Sequence, residues 1–358
     1  MAEIWGKAYS RAQLLERVGD MSQLAHMRPA MLVDGPHRDV EVIDVRTGGG
    51  LGFVILPGRG MDISAAHHNG QSLSWHSQSG EVHSAFHMNQ GLEWLRGFFG
   101  GLVATCGLSN AGAPSEDDYK ELGLHGRYSN TPASAISIER RWDGDEYIMT
   151  ASGTIREGGL FQDNLELRRS ITTSLGSTAL TIHDEVVNTG FHTSPHQLLY
   201  HINLGFPVID EGSEWLSPAS KVTPRDADAV DGAETSHLFD SPTKNYVEKV
   251  YYHEPVADAK GMTLAAIVNR DLGLGVAVRY RLEQLPRLIE WKMMGQGEYV
   301  VGIEPANCLV EGRHIDRENG ILKFLEPGES SQYEVTIEVL PDSDSIAAIE
   351  QEVAAIAG

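Results

Sequence analysis

Three short segments of the sequence combine residue types that could move protons. The first ends in His201 and Asn203 and follows the run Leu180–Asn188, which has the character of a β-strand. Because side chains alternate along an extended chain, His201 and Asn203 share one face of the segment and their apolar neighbours share the other. A histidine titrates near neutral pH and suits a general acid or a general base. The same pattern also fits a hydrogen-bonded core histidine, so the spacing alone leaves both interpretations open.

The second segment carries a carboxylate. Glu304 ends an apolar run and is followed at once by Pro305, which is typical of the point where a buried strand meets a loop. Burial there would raise the pKa of Glu304 and a neighbouring cation would lower it, which is how a general base is tuned. An ordinary strand-end glutamate is the alternative. Just upstream lie Trp291, which could stack on a sugar ring, and Lys292.

The third segment holds His125 and Arg127 between and beside two glycines, Gly123 and Gly126. Glycines let the backbone pass close to a ligand while the neighbouring side chains project towards it. Histidine and arginine are suitable donors for such a ligand. A glycine-bounded turn whose histidine and arginine face solvent is the alternative.

The elements that must position these residues are mostly β-strands. Gly, Asn, Asp and Pro clusters separate short runs rich in β-branched residues, and the absence of alternating long helices argues against a doubly wound fold. Hairpins are predicted around the turns at Asp143-Gly144-Asp145 and Asn269–Gly273. The predicted strands include Val40–Arg46, Gly52–Leu56, Ala135–Glu139, Ser170–Thr173, Ala179–Asn188, Leu264–Val268, Gly275–Tyr280 and Glu334–Leu340.

Two helices are predicted at the ends of this series. Ser10 and Gln13 form a capping box for a helix over residues 10–27, and Asp342 or Ser343 caps a second helix near the C-terminus. Without a repeat or linker, the chain is predicted to be one domain over residues 1–358. We expect an all-β fold, a large two-sheet antiparallel β-sandwich with a few peripheral helices. These are an N-terminal helical extension over about residues 1–30 and a C-terminal helix over about residues 343–357.

The longest stretch without strand character runs from residue 70 to residue 132. It contains His76, His83, His87 and His125 together with several aromatic residues. A loop-rich region of this length inside a compact domain is usually functional. We therefore expect it to form one wall of a site.

Composition excludes several classes of function. A formal net charge of −22 leaves no cationic surplus for nucleic acid or an anionic membrane. Two distant cysteines, Cys106 and Cys308, cannot form a disulfide framework. The N-terminus lacks a basic segment leading into an apolar core, and no run of about 18 apolar residues occurs, so a cytoplasmic location is expected. Phosphate-loop, dinucleotide, nucleophile-elbow and zincin motifs are absent.

In their order along the chain, these segments resemble the aldose 1-epimerase family, the galactose mutarotases. The likeness extends over about residues 40–340 and includes the family's leucine–histidine–glycine signature, its acid histidine six residues after a proline, and its base glutamate. The matching elements are Leu124-His125-Gly126, Val187-Asn188-Thr189-Gly190, Pro195, His201, Glu304-Pro305 and Leu325–Glu329. Ala306 stands where many members carry glutamine, and Asn203 follows His201 more closely than the family's asparagine does. The chain is therefore similar to a divergent bacterial branch of the family.

The resemblance implies a galactose mutarotase-like supersandwich that interconverts sugar anomers, with Glu304 as the base and His201 as the acid. It implies that no metal or organic cofactor takes part, and that the partner is a small carbohydrate. A homodimer is compatible with the sequence. The substrate-binding candidates are His125, Arg96, Arg127, Asn203, Trp291 and Lys292.

Three alternatives remain open at the level of sequence. The sandwich could bind a carbohydrate without catalysis. The same site could catalyse epimerisation, isomerisation or elimination on a keto or acidic sugar, and a basic group such as Lys292 or Arg313 beside the base would favour an acidic one. A metal site could also form, although the spacing of the histidines fits no compact ligand motif. Those histidines are His67, His68, His76, His83 and His87.

Overall fold

A computed structural model describes all of residues 1–358, which form 24 strands numbered along the sequence. The first twelve are β1 (Ala2–Ile4), β2 (Lys7–Tyr9), β3 (His26–Met31), β4 (Glu41–Arg46), β5 (Leu51–Leu56), β6 (Asp62–His68), β7 (Gln71–Ser72), β8 (Ala104–Leu108), β9 (Ser115–Asp117), β10 (Lys120–Leu122), β11 (Ser134–Asp143) and β12 (Glu146–Glu157). The remaining twelve are β13 (Leu165–Ser174), β14 (Ala179–Asn188), β15 (Ser194–Gly205), β16 (Glu214–Leu216), β17 (Ala219–Pro224), β18 (Lys249–Pro255), β19 (Met262–Asn269), β20 (Leu274–Arg281), β21 (Arg287–Gly295), β22 (Glu298–Ala306), β23 (Lys323–Leu325) and β24 (Ser330–Leu340).

Helices are few and short. The α-helices are α1 (Arg11–Leu15), α2 (Ala227–Val230), α3 (Arg313–Glu318) and α4 (Ser343–Ala357). Single 3₁₀ turns lie at Met21–Gln23, Gly35–His37, Ser84–Phe86, Glu93–Gly97, Tyr128–Asn130 and Ala233–Thr235. None of these helices combines the length and the apolar character that a membrane crossing would need.

Most strands belong to three antiparallel sheets. The eight-stranded sheet has the order β11-β12-β13-β14-β24-β20-β19-β16. The seven-stranded sheet has the order β17-β18-β21-β22-β15-β23, with β8 also paired to β15, and the five-stranded sheet runs β3-β4-β5-β6-β7. The pairs β1–β2 and β9–β10 form separate hairpins. The predicted all-β class, with antiparallel sheets and few helices, is confirmed.

The central strand β15 is covered on both faces. All twelve of its residues are buried, whereas buried and less buried residues alternate along β12. On one face, Ile202 of β15 and Ile303 of β22 belong to the main core, which also takes residues from the other two sheets. The opposite face meets a smaller apolar cluster that includes Trp94 and Phe98. The candidate site lies on this second face.

The predicted strands and both predicted hairpins are present. The turn at Gly144 joins β11 to β12, and residues 270–273 join β19 to β20. At the C-terminus, α4 begins after its N-cap Asp342, and Ile346 and Ile349 are buried against β19 and β20. The amphipathic spacing of that helix is therefore matched by a sheet face that it covers.

The N-terminal helix ends much earlier than predicted. Ser10 and Gln13 do form the capping box, but α1 ends at Leu15. Asp20 then caps a 3₁₀ turn, and the chain becomes extended in β3, which pairs with β4. The prediction of a helix over residues 10–27, within a helical extension over about residues 1–30, is wrong. The turn capped by Asp20 and the pairing of β3 with β4 override the apolar spacing beyond α1.

Residues 70–132 contain more regular structure than predicted. The buried strand β8 pairs with β15, and β9 and β10 form a hairpin. Ala104, Thr105, Cys106 and Gly107 are mostly small, so β8 lacks the bulky β-branched pattern by which strands are recognised. Pairing with β15, rather than the β-propensity of its own residues, therefore stabilises β8.

Candidate active site

Strand register brings His201 and Glu304 together. In the antiparallel ladder between β15 and β22, Ile202 pairs with Ile303 and Asn203 pairs with Gly302. His201 is therefore directly opposite Glu304, and its Nε2 lies 3.2 Å from a carboxylate oxygen of Glu304. The two residues are only 5% and 3% exposed. Two residues that are 103 positions apart in sequence thus form one buried acid–base pair.

The pair lies in the wall of a cavity of about 340 Å³, which we call the acid–base cavity. This volume lies within the range typical of small-molecule sites, roughly 300–1,000 Å³. Eight of the fifteen lining residues come from residues 70–132, so this segment does form one wall of the cavity. The fifteen are Leu92, Trp94, Leu95, Phe98, Ala113, Pro114, Leu124, His125, His201, Arg225, Glu248, Val250, Trp291, Glu304 and Val310.

Aromatic rings surround His201. The centroids of the Trp291 and Phe98 rings lie 5.1 Å and 5.2 Å from that of the His201 ring. Trp94 stacks on Phe98 at 4.5 Å and also lies 4.8 Å from His125. These rings exclude water from the pair and present apolar faces of the kind on which a sugar ring can pack.

Burial decides the protonation of the pair. Burial raises the pKa of Glu304 to about 8, the charge of Glu248 raises it further, and Arg225 opposes the shift. Burial also lowers the pKa of His201 to about 3; nearby His125 lowers it further, and the Asn203 side chain opposes the shift. Desolvation disfavours the charged form of both groups, so it favours a neutral imidazole and a protonated carboxyl group. At neutral pH the pair therefore holds one proton, and that proton resides on Glu304.

His125 is brought to the cavity by a tight turn. Its φ is +56°, and the next residue, Gly126, has a φ of +74° and would place a Cβ 2.4 Å from the carbonyl oxygen of Asn110. The glycine therefore allows a close approach between backbone segments rather than an approach to a ligand. Burial lowers the pKa of His125 to about 4. The imidazole is neutral, and the backbone N–H of Gly112 donates to its Nδ1.

Asn203 lies behind His201 and does not line the cavity. Its amide group donates to the carbonyl oxygens of Gly100, Gly101 and His201 itself. These three contacts orient the amide. Its Oδ1 and the Nδ1 of His201 are both buried without a hydrogen-bond partner. Asn203 is placed to orient the imidazole rather than to contact a substrate.

Besides Asn203, three further predicted substrate-binding residues are outside the cavity. The Arg96 side chain is 77% exposed and pairs with Glu93 on its own 3₁₀ turn. Arg127 is exposed at the start of the next 3₁₀ turn. Lys292 is next to Trp291 on β21 and therefore points to the opposite face of the sheet, where its ammonium group donates to backbone carbonyls including that of Ser236. His125 and Trp291 do line the cavity.

Two charged residues at the cavity were not found from the sequence. Arg225 follows β17, and Glu248 precedes β18; the Arg225 guanidinium lies 3.4 Å from a carboxylate oxygen of Glu248 and 2.7 Å from one of Asp226. The indole N–H of Trp291 donates to Glu248 at 2.7 Å. Neither residue belongs to a recognisable motif, so only the strand pairing reveals that they meet at this site.

The histidines between residues 67 and 87 do not form a metal site in this geometry. No group of three or more histidine, cysteine, aspartate or glutamate side chains converges anywhere in the structure. His68 is buried, His76 is exposed and His87 is half-buried. The expectation that no metal takes part in the chemistry stays a prediction.

The fold and the site together define a galactose mutarotase-like β-sandwich with a histidine–glutamate pair on its central sheet. The model of the family described as Domain of unknown function (DUF4432) matches residues 37–339, so the chain belongs to that family. The sequence matches none of the functionally curated proteins.

Solved structures agree with this class. At 30% identity and a TM-score of 0.90, the chain is similar to a Klebsiella pneumoniae protein described as a candidate aldose 1-epimerase; the match covers 94% of this chain and 91% of that one. A galactose mutarotase-like protein from Clostridium acetobutylicum has 16% identity, a TM-score of 0.61 and coverage of 88% and 99%. Galactose 1-epimerase from Lactobacillus acidophilus has 14% identity, a TM-score of 0.57 and coverage of 88% and 98%. The last two show the fold alone, and the resemblance predicted from the motifs is confirmed.

Proposed function

We propose that the protein is an isomerase that interconverts the anomers of an uncharged sugar by acid–base ring opening. The observation that carries this proposal is the contact of 3.2 Å between His201 and Glu304 in the wall of a cavity of about 340 Å³. The pair holds one proton at neutral pH, so it offers one donor and one acceptor. Anomer exchange needs both at once, because a proton leaves the anomeric hydroxyl while another reaches the ring oxygen.

The two groups can act in a balanced cycle. Proton transfer within the pair gives a Glu304 carboxylate and a His201 imidazolium. Glu304 then removes the proton from the anomeric hydroxyl while His201 donates one to the ring oxygen, and the bond between the anomeric carbon and the ring oxygen breaks. Glu304 is now protonated and His201 neutral, which is the state that burial favours. The aldehyde group then rotates about the C1–C2 bond. Reversal of both proton transfers closes the ring and gives the other anomer.

The charges around the cavity favour an uncharged substrate over an acidic one. Arg225 is the only lysine or arginine in the lining, and Asp226 and Glu248 already contact it. Lys292 points to the other face of the sheet, and Arg313 is buried in an ion pair with Asp117. A carboxylate or sulfonate on the sugar would therefore lack a free counter-charge.

The test is anomer exchange measured by two-dimensional exchange NMR for glucose, galactose, xylose and glucuronate. We expect Glu304→Gln and His201→Asn each to lower the rate by about 10²–10⁴-fold, the usual contribution of a general acid or base. Glucuronate is expected to react more slowly than glucose. Retention of the full rate by both variants would contradict the assignment.

The chain offers a matched control for this test. His253 and Glu290 form a second buried pair at 3.0 Å in the same sheet, but Glu290 points to the face opposite the acid–base cavity. Glu290→Gln therefore removes a similar buried carboxylate without touching the cavity, and it should leave the exchange rate per folded molecule unchanged.

A different outcome would favour another function. If the wild-type protein binds sugars but does not accelerate anomer exchange, it is a carbohydrate-binding protein without catalysis.

A further inference from the structure

A second cavity adjoins the acid–base cavity, and the proposed reaction does not use it. Its volume is about 550 Å³, and we call it the Trp75 cavity. Leu95, Phe98, Glu248 and Trp291 line both cavities. The lining residues found only in the second cavity are Trp75, Ser77, Gln78, Ser79, Met293 and Glu298.

Two aromatic residues separate the cavities. The Trp291 ring centroid lies 5.1 Å from that of His201 and 6.3 Å from that of Trp75. For Phe98 the corresponding distances are 5.2 Å and 6.0 Å. The partition is therefore about one layer of side chains thick. Its outer edge is formed by Leu95 and Glu248, whose side chains are about half exposed, so both cavities open to solvent over a common rim.

The Trp75 cavity is held by the same strand that carries His201. The backbone N–H of Trp75 donates to the carbonyl oxygen of Asn203 on β15. Gly205, further along β15, permits this approach, because a Cβ there would lie 3.0 Å from Trp75. The hydroxyls of Ser77 and Ser79 both donate to the carbonyl of Phe98, which fixes the partition.

The lining suits a hydroxylated ring without negative charge. Trp75, Trp291 and Met293 are partly exposed and offer apolar surface for the C–H face of a ring. Glu298 and Gln78 lie exposed at the edge and can bond to hydroxyl groups. No lysine, arginine or histidine lines this cavity, whereas two glutamates do, so an acidic ring would be repelled.

We propose that the Trp75 cavity binds a second, uncharged sugar ring linked to the ring that occupies the acid–base cavity. The preferred substrate is then a reducing disaccharide or a longer reducing saccharide rather than a free monosaccharide. This inference rests on the proposed function for the identity of the reacting ring. The shared rim supplies the path for the glycosidic link.

The kinetic test compares single rings with matched reducing disaccharides. Exchange NMR would give kcat/KM for glucose and galactose and for lactose, cellobiose, maltose and isomaltose. We expect at least one disaccharide to exceed glucose by about tenfold or more, because extra binding surface lowers the barrier relative to free enzyme and substrate. Equal kcat/KM values for all four disaccharides and glucose would overturn the inference.

Variants in the Trp75 cavity locate the effect. Trp75→Ala and Met293→Ala should each lower the ratio of disaccharide to glucose kcat/KM by about tenfold. Because Trp75 also packs against β15, Met293→Ala keeps the test valid if Trp75→Ala fails to fold. The matched control is Trp5→Ala, which removes a 70% exposed tryptophan from the N-terminal hairpin. If the ratio of disaccharide to glucose kcat/KM stays unchanged in both cavity variants, the proposal is contradicted.

A binding measurement separates this inference from the proposed function. Methyl β-lactoside and methyl β-cellobioside cannot open their rings, so saturation-transfer NMR reports only binding. We expect transfer to both rings, with transfer to the non-reducing ring lost in Met293→Ala. If no sugar undergoes exchange but this pattern is seen, the proposed function fails and the second ring site stands. If exchange occurs but transfer is confined to one ring, the function stands and the second ring site fails.

Discussion

At the scale of single residues, the pair His201–Glu304 combines two buried groups whose pKa values move in opposite directions. Burial raises the pKa of Glu304 to about 8 and lowers that of His201 to about 3. Between these values the pair holds one proton, and it holds none above the higher value. A pair without a proton lacks an acid for the ring oxygen, so pH controls whether the site can act.

We therefore expect kcat/KM to fall as the pH rises through about 8. The rate falls rather than rises because Glu304, whose pKa is raised to about 8, loses its proton only near that pH. The rate should be nearly constant between pH 5 and pH 7, because His201 gains a second proton only near pH 3. A pH–rate profile measured with the best sugar would test this. An activity that rises through pH 8 would contradict the assignment of the proton to Glu304.

Asn203 is expected to act through His201. Its amide group donates to three carbonyl oxygens, one of them that of His201, and its side chain opposes the lowering of the His201 pKa by burial. Asn203→Ala should lower kcat by roughly 10- to 100-fold, as when the partner of a metal-bound histidine is removed. KM should change little, because Asn203 does not line the cavity. A shift in the ¹⁵N tautomer signature of His201 would confirm positioning; a raised KM with unchanged kcat would instead favour substrate contact.

At the scale of secondary-structure elements, the ladder of β15, β22 and β21 sets the distances in the site. Gly302 lies between Trp291 and Asn203 in this ladder, on the same face as Glu304. A Cβ at Gly302 would lie 2.8 Å from a carboxylate oxygen of Glu304 and 3.2 Å from Cε1 of His201. The missing side chain at this position therefore leaves room for the acid–base pair.

Gly302→Ala should displace the Glu304 carboxylate while preserving the sheet, because the nearest atoms belong to side chains and φ is not positive. We expect a loss of about 100-fold in kcat, the size typical of a misplacement near 1 Å. Exchange NMR and thermal unfolding would measure the two effects separately. Gly19→Ala is the control, because no atom lies within 4 Å of a Cβ there. Full activity in Gly302→Ala would show that the observed geometry is not required.

At the scale of the whole molecule, one buried arginine joins the three sheets. Arg169 of β13 pairs with Asp184 of β14 at 2.6 Å and with Asp62 of β6 at 2.9 Å, and it also donates to the hydroxyl of Thr105 on β8. The three charged side chains are fully buried. Burial raises the pKa of Asp62 to about 6, and Arg169 opposes that shift. Removing the arginine would leave two carboxylates buried without a counter-charge.

Arg169→Met should destabilise the fold by about 3–5 kcal/mol near pH 7.5, the usual cost of breaking a buried ion pair. The loss should be smaller at pH 5, because an unpaired Asp62 has a raised pKa and takes up a proton in the folded state as the pH falls. Urea unfolding at both pH values measures this. Arg279→Met, which removes partly exposed ion pairs, should cost less than about 1 kcal/mol. Equal costs for both variants would contradict this account of the network.

The sequence alone determined the local features that depend on near neighbours. A run rich in β-branched residues between turn residues identified β14 with its correct bounds, and capping chemistry located the start of α4. The motifs around His125, His201 and Glu304 pointed to the family and to three residues that line one cavity. The sequence placed both Trp291 and Lys292 at the site, whereas neighbouring residues of a strand such as β21 face opposite sides of the sheet, and only Trp291 lines the cavity.

Tertiary structure decided the features that depend on distant pairing. The register of β15 against β22 placed His201 opposite Glu304, and strand pairing brought Arg225 and Glu248 to the same cavity. Pairing of β3 with β4 also ended the predicted N-terminal helix. Desolvation, which sets the proton on Glu304, exists only once the aromatic rings have packed around the pair. These interactions join residues that are far apart along the chain. A local sequence pattern carries no information about the distance in space between such residues.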